Sequence, residues 1–193
     1  MAQVSDAPPM KSAPFLEPAI VVRVDGELEG FREALGPDAA AYRNHVCRVL
    51  AFTARLLPPG RPIPEPLVFA GIFHDLGIWT DRTFDYLGPS RRLAATAMEG
   101  AGRPGLAVEV EAVIENHHKL TPYRGAFEAS VELFRRADLV DVSLGLVRFG
   151  LPGPFVSRVR REFPNAGFHR RLLELTFRQL LRTPLRPLPM LRW

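Results

Sequence analysis

Phe73-His74-Asp75-Leu76-Gly77 closes an apolar run, and its reading decides the fold. Adjacent residues on a helix point about 100° apart, so a His and an Asp side by side share a task only when something sits between them. A metal ion fills that role, because neutral imidazole and carboxylate both ligate zinc, iron or manganese. The dipeptide gains meaning only if neighbouring helices supply further ligands.

The surrounding pattern is helical from Leu28 onward. Gly36-Pro37-Asp38 ends a short first helix and offers Asp38 as N-cap to the next. Over about 39–57 that second helix aligns Tyr42, His45, Val46, Val49, Phe52, Thr53 and Leu56 on one face. A proline-rich turn leads into a short buried helix, Glu65–Leu76, that stops at Gly77. Residues 78–89 read as a polar-aromatic loop lying over the His-Asp pair, with Asp81, Asp85 and Tyr86 facing a ligand and Trp79 and Phe84 packing it. Further helices are expected over 90–100, 106–118, 126–149, 154–163 and 166–182. Residues 1–27 form an N-terminal arm, with Ala19–Val24 as one extended segment. Residues 28–150 form a helical core, and residues 151–193 contribute basic helices packed on it. The expected architecture is all-α, a single-domain bundle of about seven or eight helices.

Composition bounds the function. Cys47 is the only cysteine among 193 residues, which excludes a disulfide framework and a thiolate metal cluster. Neither a secretory pattern nor an apolar run of about 18 residues is present, so a soluble, cytoplasmic protein is expected. The net charge is +4, and residues 151–193 hold nine arginines against Glu162 and Glu174. Those arginines alternate with Leu and Phe at helical spacing rather than forming a dense run, which weighs against a nucleic-acid partner. With Leu172, Leu175 and Leu180 among them, the tail fits either core completion or a homodimer interface.

Polar residues on apolar faces bring the opening dipeptide into context. His45 lies on the buried stripe of its helix, and Asp138 sits among Phe127, Val131 and Phe134. A buried carboxylate without a partner costs several kcal/mol, so Asp138 needs a cation, an arginine or strong donors. Each residue taken singly has a plainer account, as a satisfied core His or a capping Asp. The ordered set His45, His74-Asp75, Asp138, each at the inward position of a helix, is harder to reach by chance.

On those residues the chain resembles the HD superfamily of metal-dependent phosphohydrolases. The matching segments are Tyr42-Arg43-Asn44-His45-Val46, Ala70-Gly71-Ile72-Phe73-His74-Asp75-Leu76-Gly77 and Arg136-Ala137-Asp138-Leu139-Val140-Asp141. The resemblance spans residues 41–141, about half the chain. It implies an HD-type helical core that holds one divalent ion (Mn, Fe, Zn, Co, Ni or Mg) through His45, His74, Asp75 and Asp138. The implied activity is hydrolysis of a nucleotide or other small phosphoester by metal-activated water, with Asp75 and His117 catalytic. His118, Lys119, Arg91 and Arg92 are the expected substrate contacts, with Arg124 a further candidate for phosphate. No histidine lies between Asp75 and His117, which favours one metal over two. Asp141, one turn past Asp138, is placed to orient a ligand histidine, and His169 falls outside the matched region. Two alternatives keep the fold: a hydratase of a small nitrile such as cyanamide, and a regulatory module without catalysis.

Overall fold

The computed structural model describes residues 15–185 and 188–191; the first fourteen residues of the expected arm lie outside them. Every regular element among the described residues is helical. In chain order they are α1 (Pro18–Glu29), α2 (Arg32–Leu35), α3 (Ala39–Leu56), α4 (Glu65–Phe73), α5 (Gly77–Thr80), α6 (Leu87–Gly100), α7 (Ala107–Asn116), α8 (Glu128–Val142), α9 (Gly153–Glu162) and α10 (Phe168–Arg182). Two of these, α2 and α5, are single turns of four residues. Eight longer helices remain, in agreement with the bundle expected from the sequence.

The core is organised around α3 and α4. The middle of α3 is buried on all sides, from Ala41 and Tyr42 through His45–Thr53, and α4 is buried from Pro66 to Phe73. A helix that is apolar all round, as α4 is, belongs in the interior, and the other helices are laid around it and α3. α8 runs along α3, α7 packs on α4 and α6, and α9 also packs on α3. Gly71 sets how closely α3 and α4 approach: a Cβ there would stand 2.7 Å from Leu50 Cδ2. The close approach brings together the two helices that carry His45 and lead into His74, whose Nε2 atoms lie 2.9 Å apart.

Several local expectations are corrected. Ala19–Val24 is helical rather than extended, because α1 starts on Pro18 and buries Val24 and Leu28 beneath it; burial outweighs the modest helix penalty of β-branched residues. α4 ends at Phe73, with His74 as its C-cap, and Gly77 opens α5 where a loop was expected. Asp38 makes no capping hydrogen bond to α3. Its carboxylate instead accepts from Trp79 Nε1 at 2.9 Å and pairs with Arg171 at 3.0 Å. No described helix is long and apolar enough to cross a membrane.

Candidate metal centre

Two helices and two helix ends converge on one buried point. α3 contributes His45, the end of α4 contributes His74 and Asp75, the end of α7 contributes His117 and His118, and α8 contributes Asp138. All are buried except His118, whose side chain is 18% exposed. The position of each follows from local sequence: the end of a helix frees its last residues to turn inward, which is how adjacent His74 and Asp75 reach the same centre.

The imidazoles are oriented from outside. His74 Nδ1 lies 3.0 Å from the Gly71 carbonyl oxygen and His117 Nδ1 lies 2.7 Å from that of Ile114. A carbonyl only accepts, so both Nδ1 atoms carry hydrogen and donate. His45 Nδ1 donates in the same way to Asp141 Oδ2 at 2.7 Å. In neutral rings each Nε2 is then left as a bare lone pair. Burial holds His74 in that neutral form, with its pKa pushed down to about 3.

In the neutral rings those two lone pairs face each other with no proton between them. His45 Nε2 and His74 Nε2 are 2.9 Å apart. Asp75 Oδ2 stands 3.7 and 3.5 Å from these two nitrogens, and Asp138 Oδ1 stands 3.6 and 3.8 Å from them. Two atoms each about 2.1 Å from a shared ion are separated by about 3.0 Å across a right angle and about 3.4 Å across a tetrahedral one. The 2.9 Å contact matches the octahedral edge, and the other four, at 3.5–3.8 Å, lie slightly beyond the tetrahedral one.

Unsatisfied polar atoms point to the same conclusion. Asp75 Oδ1, His117 Nε2 and Asp138 Oδ1 are buried and have no aligned hydrogen-bond partner. Burial drives the Asp138 carboxyl up to about 7. Burial would raise Asp75 as well, but the imidazoles of His74 and His117 hold it well below its usual range. Facing acceptors and carboxylates at such distances are costly when bare and become favourable around a divalent cation. The residues therefore fit a metal ion: the ligand atoms of His45, His74 and Asp138 lie within 4.8 Å of one another, as do those of His74, Asp75 and His117.

The carboxylates have a second side. Asp75 Oδ1 lies 3.3 Å from His117 Nε2, and Asp138 Oδ2 lies 3.7 Å from His118 Nδ1. Each Asp thus presents one oxygen to His45 and His74 and the other to the His117–His118 pair. His118 Nε2 also meets the Tyr86 hydroxyl at 2.6 Å. Tyr86, from the segment expected to lie over the site, does reach it.

The other expected contacts have partners of their own. Arg91 pairs with Glu111 and Glu115 at 3.2 and 3.1 Å, and Arg92 pairs with Asp81 at 3.1 Å. Arg124 pairs with Glu128. Lys119 follows His118 in the turn after α7, its carbonyl accepting from Arg135 Nη1 at 3.3 Å.

Two contributors escaped the sequence reading. Arg48, one turn past His45, is 1% exposed and grips Asp141 through Nε at 2.6 Å and Nη2 at 2.8 Å. Its Nη1 donates to the Phe163 carbonyl at 2.9 Å, tying α3 to the end of α9. Burial would raise Asp141, but hydrogen bonds from His45 and Arg48 hold its carboxyl far below the usual range, so it stays an acceptor for His45. Phe168, the first residue of α10, stacks on the His45 ring with centroids 4.0 Å apart and planes at 14°. His169 Nε2 sits 3.1 Å from the Asp141 carbonyl oxygen. A charge on the buried stripe of α3 was the available signal for Arg48; nothing local marked Phe168.

No family model, curated protein or solved structure matches this chain.

Proposed function

We propose that the chain is a metal-dependent hydrolase of the HD type that acts on a small phosphoester, with His45, His74, Asp75 and Asp138 holding a divalent ion. The observation that carries this reading is the pair of bare Nε2 atoms of His45 and His74, 2.9 Å apart and flanked by two buried carboxylates. The sequence resemblance over residues 41–141 supports the same ligand set.

A divalent ion bound there would neutralise charge on a phosphoryl oxygen and lower the pKa of water toward neutrality. The chain's own residues define the rest. Asp75 Oδ1, facing His117 Nε2 at 3.3 Å, is placed to take a proton and share it with that imidazole. His118 is the most exposed member of the cluster and, with the Tyr86 hydroxyl beside it, is placed to donate to a substrate oxygen. Asp141 and Arg48 keep His45 in the ligating tautomer, and the stacked Phe168 keeps water from its ring.

The oxygens that Asp75 and Asp138 direct at His117 and His118 support a second reading, in which a second ion occupies that side. Metal analysis of the purified protein separates the two, at about one or about two equivalents per chain. A screen of phosphomonoesters and nucleotides with added Mn or Co tests the chemistry. Phosphate release that is lost in His74→Ala is expected. A metal-loaded protein that releases no phosphate and hydrates cyanamide would replace the phosphoester with a nitrile.

A further inference from the structure

The basic character of the C-terminal region has a specific focus. α10 places Arg171, Arg178 and Arg182 at intervals of seven and four residues, and with about 3.6 residues per turn these return to one face. That face, with Gln179 between the arginines, lines a groove of about 370 Å³ whose opposite wall is the turn after α5. Arg82 stands on that wall, its backbone held at φ 52°, in the left-handed region that non-glycine residues rarely adopt. Four arginines therefore border one groove, and among the described residues no acidic side chain lines it.

The nearby acids are engaged elsewhere. Asp81, next to Arg82, is turned to Arg92 at 3.1 Å and accepts from the Thr80 hydroxyl at 2.9 Å. Of the four arginines only Arg171 has an ion-pair partner among the described residues, in Asp38 and Glu174. Arg82, Arg178 and Arg182 have none there. Cations gathered from two elements without counter-charge repel one another, and an anion between them relieves that repulsion. Guanidinium forks match phosphoryl oxygens bidentately.

From these features we infer that the groove between α10 and the turn after α5 binds a small anion carrying two or more phosphoryl groups. The three arginines of α10 extend over about 16 Å of helix, which favours an elongated, multiply charged ligand over a single phosphate. The site is distinct from the metal centre. Trp79 forms part of the groove wall and packs on Tyr42 with ring centroids 4.8 Å apart. Tyr42 in turn lies between Trp79 and the rings of His45 and His74, each 6.3 Å away. Two aromatic layers thus separate the groove from the proposed ligands, so the inference does not depend on the metal reading.

Trp79 also gives the readout. In a full-length Trp193→Phe background it is the only indole, and titration with inorganic tripolyphosphate in the presence of chelator should change its fluorescence saturably. Arg178→Ala/Arg182→Ala should weaken that binding by about tenfold or more, since each charge-assisted hydrogen bond lost is worth at least that. Arg158→Ala/Arg161→Ala, an equal loss of charge on α9, should leave it unchanged. Orthophosphate should bind far more weakly than tripolyphosphate. The inference is overturned if no saturable binding occurs, or if both double variants weaken it equally, which would mean attraction to net charge alone. Unchanged binding in Arg178→Ala/Arg182→Ala would overturn it as well, by placing the anion elsewhere. Because these arginines are exposed, matching thermal midpoints will confirm that all variants fold.

Discussion

Arg48 holds Asp141 in a two-pronged grip, Nε to Oδ1 at 2.6 Å and Nη2 to Oδ2 at 2.8 Å, while the same Oδ2 accepts from His45 Nδ1. The proposed metal ligand is thus oriented by a carboxylate that is itself fixed by a buried arginine. Lysine offers a point charge in place of the planar fork. Arg48→Lys should weaken metal binding by about 10–100-fold, the usual cost of losing an outer partner of a ligand histidine, and should also lower stability. Calorimetric titration with Mn or Zn measures the affinity. Unchanged affinity would mean that His45 needs no such support.

Phe168 couples α10 to the same histidine. Phe168→Leu keeps the site apolar but removes the stack at 4.0 Å. It should cost about 1 kcal/mol of stability in the metal-free protein and a larger loss in the metal-loaded one. Thermal melts with and without metal provide the comparison. An equal shift in both states would show Phe168 to be packing alone.

Gly77 sits where α5 meets α6. A Cβ there would lie 2.7 Å from the Tyr86 carbonyl oxygen and 2.9 Å from the Ser90 nitrogen, both backbone atoms that cannot swing aside. Gly77→Ala should therefore destabilise the protein by about 1–3 kcal/mol. It should also disturb the Tyr86–His118 contact at 2.6 Å. Gly26→Ala, on α1 with open space around it, is the control and should cost nothing measurable in a denaturant melt.

Cys47 is fully buried on α3, and burial pushes its thiol up to about 11 from an ordinary value of 9.0. At pH 8 it should resist a thiol-labelling reagent until denaturant unfolds the chain. Between pH 9 and 11 the unfolded thiol loses its proton while the folded one keeps it, so this group makes stability fall as pH rises through that window. Cys47→Ala should flatten that alkaline decline; rapid labelling of the native protein would contradict the packing of α3.

The sequence made the inward faces of α3, α4 and α8 legible because a helix repeats its buried side every three or four residues. His45 and Asp138 stood out as polar groups on such faces, and His74-Asp75 as a pair at a helix end. What it hid was long-range. Arg48 could be recognised as buried only by asking what a charge was doing beside Val46 and Val49, and its partner Asp141 lies 93 residues away. Phe168 and His169 lie beyond the matched segments, and only tertiary packing brings the first to His45 and the second to Asp141. The absence of a histidine between Asp75 and His117 pointed to a single metal, but spacing could not show that both carboxylates turn a second oxygen toward His117 and His118. Asp38 carried a capping signal, yet Trp79 and Arg171 compete for its carboxylate and take it.

The most direct test is metal content and affinity, measured on the full chain by elemental analysis and calorimetric titration, for the wild type and for His74→Ala and Asp138→Asn. The expected result is at least one tightly held divalent ion per wild-type chain, lost in both variants, with metal raising the wild-type melting temperature and not theirs. Wild-type protein that binds no divalent ion, or variants that retain the wild-type affinity, would contradict the assignment of His45, His74, Asp75 and Asp138 as a metal centre.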